Sequence, residues 1–383
     1  MTGRKLGLRK RIGLRLFSDL YAEKIAEHKL RTLFWECTLR CNLACRHCGS
    51  DCRVDPGVPD MPLADFLKVL DEEVTPHNRP EDVLLIFSGG EVLVRSDLEE
   101  AGREVTRRGY AWGMVTNGLA LDADCLRSLM DAGLRSISIS FDGFEDAHNY
   151  IRRNPRSFGK ALDAIRLIVR EPRLTYDVIT CVTSPMVARL GEFKELLIAE
   201  GVKYWRIFSI FPVGRAKDDP TLTVTDAQFR EVLEFIKRTR KEGRIDLSYA
   251  CEGFLGGYEG EVRDDFYQCA AGVSAASIRV DGAISGCTSI RANFHQGNIY
   301  RDSFWDVWQN RFDKFRDREW ARKGECADCK MCGRRYAPAR RPGASDVLSL
   351  QAIAIVGNTI GERLSNRSLK LKIVPVRIIP TEH

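Results

Sequence analysis

Residues 41–48 read Cys41-Asn42-Leu43-Ala44-Cys45-Arg46-His47-Cys48, three thiols in a C-x3-C-x2-C order that occurs nowhere else in the 383 residues. A cubane iron–sulfur cluster takes four cysteine ligands, so three, with no fourth at a matching offset, leave one iron open to another ligand. Spacing alone leaves two competing readings, half of a zinc site or a redox pair, because a C-x2-C pair serves both. Cys37 and Cys52 lie close enough to blur the register. We read them as packed neighbours or spare thiols, since free cysteine behaves as a small buried hydrophobe.

Outward from this stretch the chain alternates. Strand-like runs at 32–36, 83–87, 112–115, 136–141, 176–182 and 204–210 are separated by amphipathic stretches near 63–74, 97–107, 122–132, 159–170 and 189–200. This is the pattern of parallel βα units. Six units fall short of the eight that close a TIM barrel, so the expected fold class is α/β, a partial (β/α)6 barrel of TIM type. Pro62 stands where a first helical turn tolerates it. In the fourth strand Ser136, Ser138 and Ser140 alternate with Ile137, Ile139 and Phe141, which turns the serines to the lumen and the apolar set to the helices. For Ser136 and Ser138 two readings stay open: lining a polar cofactor pocket, or fitting a crowded barrel axis.

Composition sets the bounds. A hydrophobic content of 44% fills a sizeable core, and the length allows one large domain with a smaller one. Thirteen cysteines would suggest crosslinks in a short secreted chain, but there is no N-terminal apolar segment with a cleavage site. The cysteines cluster at metal-ligand spacings, so a cytoplasmic protein with thiols serving metal is expected. No apolar run of about 18 residues predicts a transmembrane segment. Residues 1–32 and 333–383 each hold nine Lys/Arg against three Asp/Glu, so the body between them is acidic although the net charge is +6. That layout argues against a nucleic-acid groove. Segment 6–30 carries Leu8, Ile12, Leu16 and Leu20 at helical spacing among basic residues; it either packs on its own domain or makes peripheral contact with an anionic membrane. The domain reading is a basic amphipathic helix at 1–30, the barrel at 31–240, a smaller cysteine-rich module at 241–332 and an atypical basic tail at 333–383 of disordered composition.

In parallel α/β barrels ligands sit at the C-terminal ends of the strands. The cysteine loop follows strand one and Ser88-Gly89-Gly90-Glu91 follows strand two. Thr116-Asn117-Gly118 follows strand three, and Ser140-Phe141-Asp142-Gly143 ends strand four, with Arg152 twelve residues after Ser140. Two glycines let the backbone approach a ligand closely, and a glutamate accepts hydrogen bonds from an ammonium or hydroxyl. An arginine fork suits a carboxylate; the alternative for Arg152 is a surface helix-cap salt bridge.

This ordered set resembles the radical S-adenosylmethionine (SAM) enzymes, whose open iron is chelated by the amino and carboxylate groups of SAM. His47, before the third cysteine, fits the same pattern. The resemblance implies a [4Fe-4S] cluster on Cys41, Cys45 and Cys48. Gly89, Gly90 and Glu91 match the family's GGE motif, which contacts the SAM amino group, while Val92 stands where proline is usual. Ser140 and Arg152 match residues that hold the SAM ribose and carboxylate. Asn117 and Asp142 occupy similar strand-end positions, and Asn117 is counted with the cofactor-binding residues.

Past residue 240 come Cys251, Cys269, Cys287, Cys326, Cys329 and Cys332, with C-x12-G-x4-C from Cys269 through Gly282 to Cys287. This is similar to a SPASM or Twitch extension, which holds auxiliary iron–sulfur clusters; a zinc knuckle is the competing reading. Two complete cubanes need eight cysteines, so one auxiliary [4Fe-4S] cluster is expected, with a second partial or absent. The tail is expected to stand in place of the family's usual ending, as a frameshift or truncation would leave it.

Residues 30–60 and 245–300 are further similar to a radical SAM subgroup encoded beside a small lipoprotein. The resemblance implies an enzyme that cleaves SAM reductively to a 5′-deoxyadenosyl radical and takes hydrogen from a peptide or protein undergoing modification. It also implies an external electron donor such as flavodoxin or ferredoxin. A small-molecule dehydrogenase or a sulfatase-maturase-like oxidase is the alternative within this chemistry, and a metal-stabilised binding module without turnover is the alternative outside it. Cys125 and Cys181 are read as packing residues. Asp177 and Glu252 are acid–base candidates that nothing separates from surface carboxylates.

Overall fold

A computed structural model of the chain describes residues 7–50, 52–250, 253–287 and 294–317. Cys251, Glu252, Cys326, Cys329, Cys332 and the tail at 333–383 lie outside them. Six parallel strands stand where the alternation places them: β1 (Thr32–Thr38), β2 (Leu84–Gly89), β3 (Ala111–Thr116), β4 (Leu134–Ser140), β5 (Thr175–Val182) and β6 (Tyr204–Ser209), paired in chain order. The basic segment before them forms α1 (Leu8–Glu27), and the crossovers carry α2 (Leu63–Val69), α3 (Leu98–Arg107), α4 (Ala123–Asp131), α5 (Glu145–Arg152), α6 (Ser157–Ile168) and α7 (Leu190–Ala199). After β6, α8 (Asp226–Glu242) opens with a capping box of Thr225 and Gln228 and ends on Gly243 in the left-handed conformation, a start and stop legible in the residues themselves.

Strand residues of one parity face the helices. Trp35 stacks on Phe66 of α2 at 4.4 Å, and Phe87 stacks on Trp112 at 4.9 Å and meets Trp35 edge-on at 5.1 Å. Truncating one such ring to alanine costs about 3–5 kcal/mol. Residues of the other parity face the lumen, where Phe34, Leu84, Ile86 and Ala275 form a separate apolar cluster. Ser138 donates to Asp177 (2.6 Å), and Asp177 is ion-paired with Arg206; all three are buried. Ser136 abuts Gly113, where an added Cβ would come within 2.7 Å of the serine Cβ. Ser136 thus sits at a crowded point of the axis and Ser138 serves a buried ion pair, neither of them lining the strand-end cavity, and Asp177 is a paired lumen charge and not a surface carboxylate.

The sheet does not close. Its order is β10-β9-β8-β1-β2-β3-β4-β5-β6-β7. β7 (Asp246–Tyr249) adds parallel to β6, and β8 (Ala275–Ile278) adds parallel to β1 from Thr32 opposite Ala275 to Trp35 opposite Ile278. β9 (Ala283–Ser285) and β10 (Gly297–Asn298) continue it antiparallel. The boundary expected at residue 240 is thus not where the sheet stops, because strands from the cysteine-rich module extend both of its edges. α9 (Phe304–Asn310) then returns against the N-terminal part, with Trp308 Nε1 donating to His28 O at 3.1 Å.

α1 corrects an expectation. Leu14 and Tyr21 are its buried residues, Phe17 packs edge-on against Phe266 at 5.6 Å, and Tyr21 Oη donates to Cys269 O at 2.8 Å. The stripe of Leu8, Ile12, Leu16 and Leu20 is exposed. The helix does pack on its own domain, but through the opposite face.

Candidate functional site

The cysteine loop leaves the C-terminal end of β1 and is pinned along its length. Cys41 N donates to Arg53 O and Arg46 N to Ile151 O of α5, each at 2.8 Å, and the Arg46 guanidinium lies over the Tyr150 ring. Cys41, Cys45 and Cys48 line one cavity with His47, Cys52, Gly89, Gly90, Asn117, Ser140, Arg152 and Arg215. Every described cysteine is a free thiol. Cys41, Cys45, Cys52 and Leu43 form a small buried cluster against which Cys48 and Leu119 pack.

This burial controls the thiols. Desolvation pushes Cys41 up to about 12 and raises Cys45, for which the Arg152 guanidinium works the other way. Cys48 is drawn down to about 5, by a hydrogen bond from the Cys52 side chain and by the Arg215 charge against the opposing effect of burial. Burial pushes His47 down to about 4, so it is neutral at physiological pH. Its Nδ1 is buried and has no hydrogen-bond partner.

The glycines after β2 have a tighter reason to exist than ligand approach. Gly89 has φ +133°, and an added Cβ would lie 2.0 Å from Thr38 O; at Gly90 it would lie 2.1 Å from Arg40 O. Gly90 N and Glu91 N donate to those two carbonyls at 2.8 and 2.9 Å. The pair therefore lets the second strand-end loop lie directly on the start of the cysteine loop.

Glu91 is already engaged by the protein. It is buried, it is not part of the cavity lining, and its carboxylate accepts from Thr116 Oγ1 (2.7 Å), Asn117 N (2.7 Å) and Leu93 N (3.2 Å). It fastens the β2 loop to the β3 loop from behind. Asn117 does face the cavity: its Nδ2 donates to Asn42 Oδ1 at 2.8 Å and lies 4.0 Å from the Cys41 sulfur.

Arg152 ends α5 and is buried, so the surface-cap reading does not describe it. Its Nε and Nη2 hold Asp142 Oδ2 at 2.7 Å, and its Nη1 lies 3.7 Å from the Cys45 sulfur. Asp142 is fixed in turn by Cys181 N on its Oδ1 (3.0 Å), while its own N–H donates to His148 Nδ1 at 3.0 Å. That leaves His148 Nε2 as the proton-bearing nitrogen facing Ser157 Oγ at 3.0 Å. Burial favours a protonated Asp142, but Arg152, then His47 and His148, prevail and hold the carboxyl below its ordinary range. Cys181, read as packing, brings its sulfur within 4.8 Å of His47 and Asp142 donor atoms.

Arg215 was missed by sequence reasoning. It follows β6, its Nε donates to Cys45 O (2.7 Å), its Nη1 to Cys52 O (3.0 Å) and its backbone N to Cys48 O (3.0 Å). The preceding Gly214 has φ +57°, and a Cβ there would come within 2.5 Å of Cys48 O. A Gly-Arg pair just past a strand end was the available signal. Cys37, by contrast, is packed outside the cavity lining with its thiol on Ser88 O at 3.4 Å. In the second module Cys269 and Cys287 are both buried; the other four cysteines of that set lie outside the described residues.

Residues 35–194 match the radical SAM superfamily, and residues 269–332 match SPASM, an iron–sulfur cluster-binding domain. The chain is 28% identical over 324 residues to an AdoMet-dependent heme synthase of Methanosarcina barkeri, covering 79% of this chain and 90% of that one. It is 29% identical over 305 residues to the mycofactocin maturase MftC of Mycolicibacterium smegmatis, covering 78% and 74%. The solved structure of native anSMEcpe with bound AdoMet and Cp18Cys peptide has the same fold, with a TM-score of 0.64 at 17% identity over 90% of this chain and 99% of that one. The first match implies a [4Fe-4S] cluster and SAM, and the second implies auxiliary iron–sulfur clusters. The chain accordingly carries a radical SAM domain on a partial barrel, followed by a C-terminal SPASM domain.

Proposed function

We propose that Cys41, Cys45 and Cys48 hold three irons of the [4Fe-4S] cluster, that SAM binds on the cavity side of the fourth, and that the enzyme modifies a peptide or protein. The residues present fit the group. Three free thiols face one cavity, with Arg152 Nη1 at 3.7 Å from the Cys45 sulfur and Asn117 Nδ2 at 4.0 Å from the Cys41 sulfur. N–H donors near the sulfurs would tune the potential of such a cluster. This gathering of three thiols on one wall is the observation that carries the cofactor assignment.

The chemistry supplied at such a site is one-electron cleavage of SAM to a 5′-deoxyadenosyl radical that takes hydrogen from the substrate. The chain's own residues bind and orient. Arg215 holds the cysteine loop by the carbonyls of Cys45 and Cys52. Glu91 joins the β2 and β3 loops, so the edge of Gly89 and Gly90 keeps its place beside SAM. Ser140 lines the same cavity and would contact SAM there, and Arg152, held by Asp142, would support the cluster through Cys45. Cys269 and Cys287 serve the auxiliary cluster with partners among Cys251, Cys326, Cys329 and Cys332.

A peptide or protein substrate agrees with the maturase among the relatives and with the peptide-bound structure of the same fold. A small-molecule substrate is the second reading, favoured by the heme synthases. Anaerobic reconstitution followed by reduction with dithionite tests the core of the proposal: reductant-dependent 5′-deoxyadenosine from SAM is expected, and zinc in place of iron or no SAM cleavage overturns it. Flavodoxin or ferredoxin replacing dithionite tests the donor. Stimulation of 5′-deoxyadenosine release by a candidate peptide supports the first substrate reading; stimulation by an iron tetrapyrrole alone replaces it with the second.

A further inference from the structure

We infer that the outer face of α1 is a self-association surface, through which two copies of this chain pack as an antiparallel two-fold pair. Leu8, Ile12, Leu16 and Leu20 are 70%, 54%, 61% and 57% exposed, one above another at i, i+4 spacing. A contiguous apolar patch of this kind marks an interaction site, whereas single exposed hydrophobics need no explanation. The other large apolar side chains so exposed among the described residues, Val54, Val58, Tyr150 and Tyr300, do not form a row. The helix cannot roll the stripe inward, because its opposite face is committed through Leu14, Tyr21 and the 2.5 Å Lys10–Glu261 ion pair.

Charge selects the occupant. The exposed charges on the first half of α1 are Arg9, Arg11 and Arg15, and on the second half Asp19, Glu23, Lys24 and Glu27. An anionic lipid surface would meet Asp19 and Glu23 on the same face as the leucines, whereas helices that lie on membranes carry lysine and arginine there. An antiparallel second copy instead sets each basic half against an acidic one. A row of i, i+4 side chains is one ridge of the helix surface, and two such ridges interlock at about −50°. With Ile12 of one copy beside Leu16 of the other, Leu8 meets Leu20, the basic half of each helix lies along the acidic half of its mate, and the two-fold axis repeats each contact. One helix pair covers less than the roughly 800 Å² per partner of a standard interface, so the dimer is weak and concentration-dependent.

Sedimentation velocity on the full chain from about 1 to about 200 µM, a range that brackets a weak dimer, is the test. The wild type is expected to move from monomer to dimer across it, and Leu16→Glu to stay monomeric. Arg9→Asp and Asp19→Arg each lower the charge contrast between the two halves and are expected to weaken association by about threefold, and the double swap R9D/D19R to restore it. These positions are exposed, and circular dichroism melts confirm that each variant is folded. The proposal is overturned if the wild type is monomeric throughout, if Leu16→Glu dimerises like the wild type, or if the double swap does not restore association. A monomer that floats with phosphatidylglycerol vesicles but not phosphatidylcholine vesicles, and loses this with Leu16→Glu, also overturns it and assigns the stripe to lipid.

Discussion

Two buried polar regions lie one above the other in this barrel and differ in how they are satisfied. In the lumen, the charges of Asp177 and Arg206 meet each other and Ser138, and the orphaned atoms there are serine hydroxyls, those of Ser136 and Ser277. At the strand ends, Cys41, Cys45 and Cys48 face a cavity and His47 Nδ1 has no partner. A buried polar group without a partner calls for a reason, and a paired one explains itself. Glu91 shows the same contrast within one motif, since its protein donors make it a brace while its neighbours Gly89 and Gly90 line the cavity.

The sharpest way to break this contrast is Cys45→Ala. Iron is expected to fall by about 4 per chain, with 5′-deoxyadenosine lost; a variant that still cleaves SAM would make the ligand assignment wrong. Arg206→Met asks the converse question in the lumen. Leaving Asp177 buried without its cation, with only Ser138 donating to it, should cost about 3–5 kcal/mol, read as a lower melting temperature, with iron content per folded chain unchanged. Lost iron with unchanged melting would mean that the lumen pair belongs to the cofactor site. Arg215→Ala should sit between these extremes, because it frees the loop without removing a ligand: about 10- to 100-fold weaker iron retention against a chelator is expected, with partial rescue by Arg215→Lys. The smallest effect is expected from Cys52→Ser, which should keep the full iron content and cost about 1 kcal/mol of stability as a small buried thiol. Loss of iron there would make Cys52 a ligand.

The six barrel strands and their helices were legible because parallel βα units repeat a period, and the site because its ligands share a short, fixed spacing. Arg215 was missed, since a Gly-Arg pair past a strand end is a faint signal and its partners are carbonyls of a loop about 165 residues earlier. The bracing of the β3 loop by Glu91 was not legible either, because a motif states which residues assemble and not which atoms already have donors. On α1 the periodicity gave the helix, while the choice of buried face was made by Phe266 and Cys269, far along the chain. The pairing of β8 with β1 escaped for the same reason: strand edges carry no residue code for a partner that arrives late.

That pairing has a consequence for biogenesis. Thr32 waits for Ala275, so a nascent chain leaving the ribosome holds one bare β1 edge while about 240 further residues are made. At ordinary elongation rates of about 5–20 residues per second, the interval is roughly 12 to 50 seconds. Over such a delay an uncovered edge beside Phe34 and Trp35 is a natural client for a holding chaperone, and heterologous yield should respond to one supplied during synthesis.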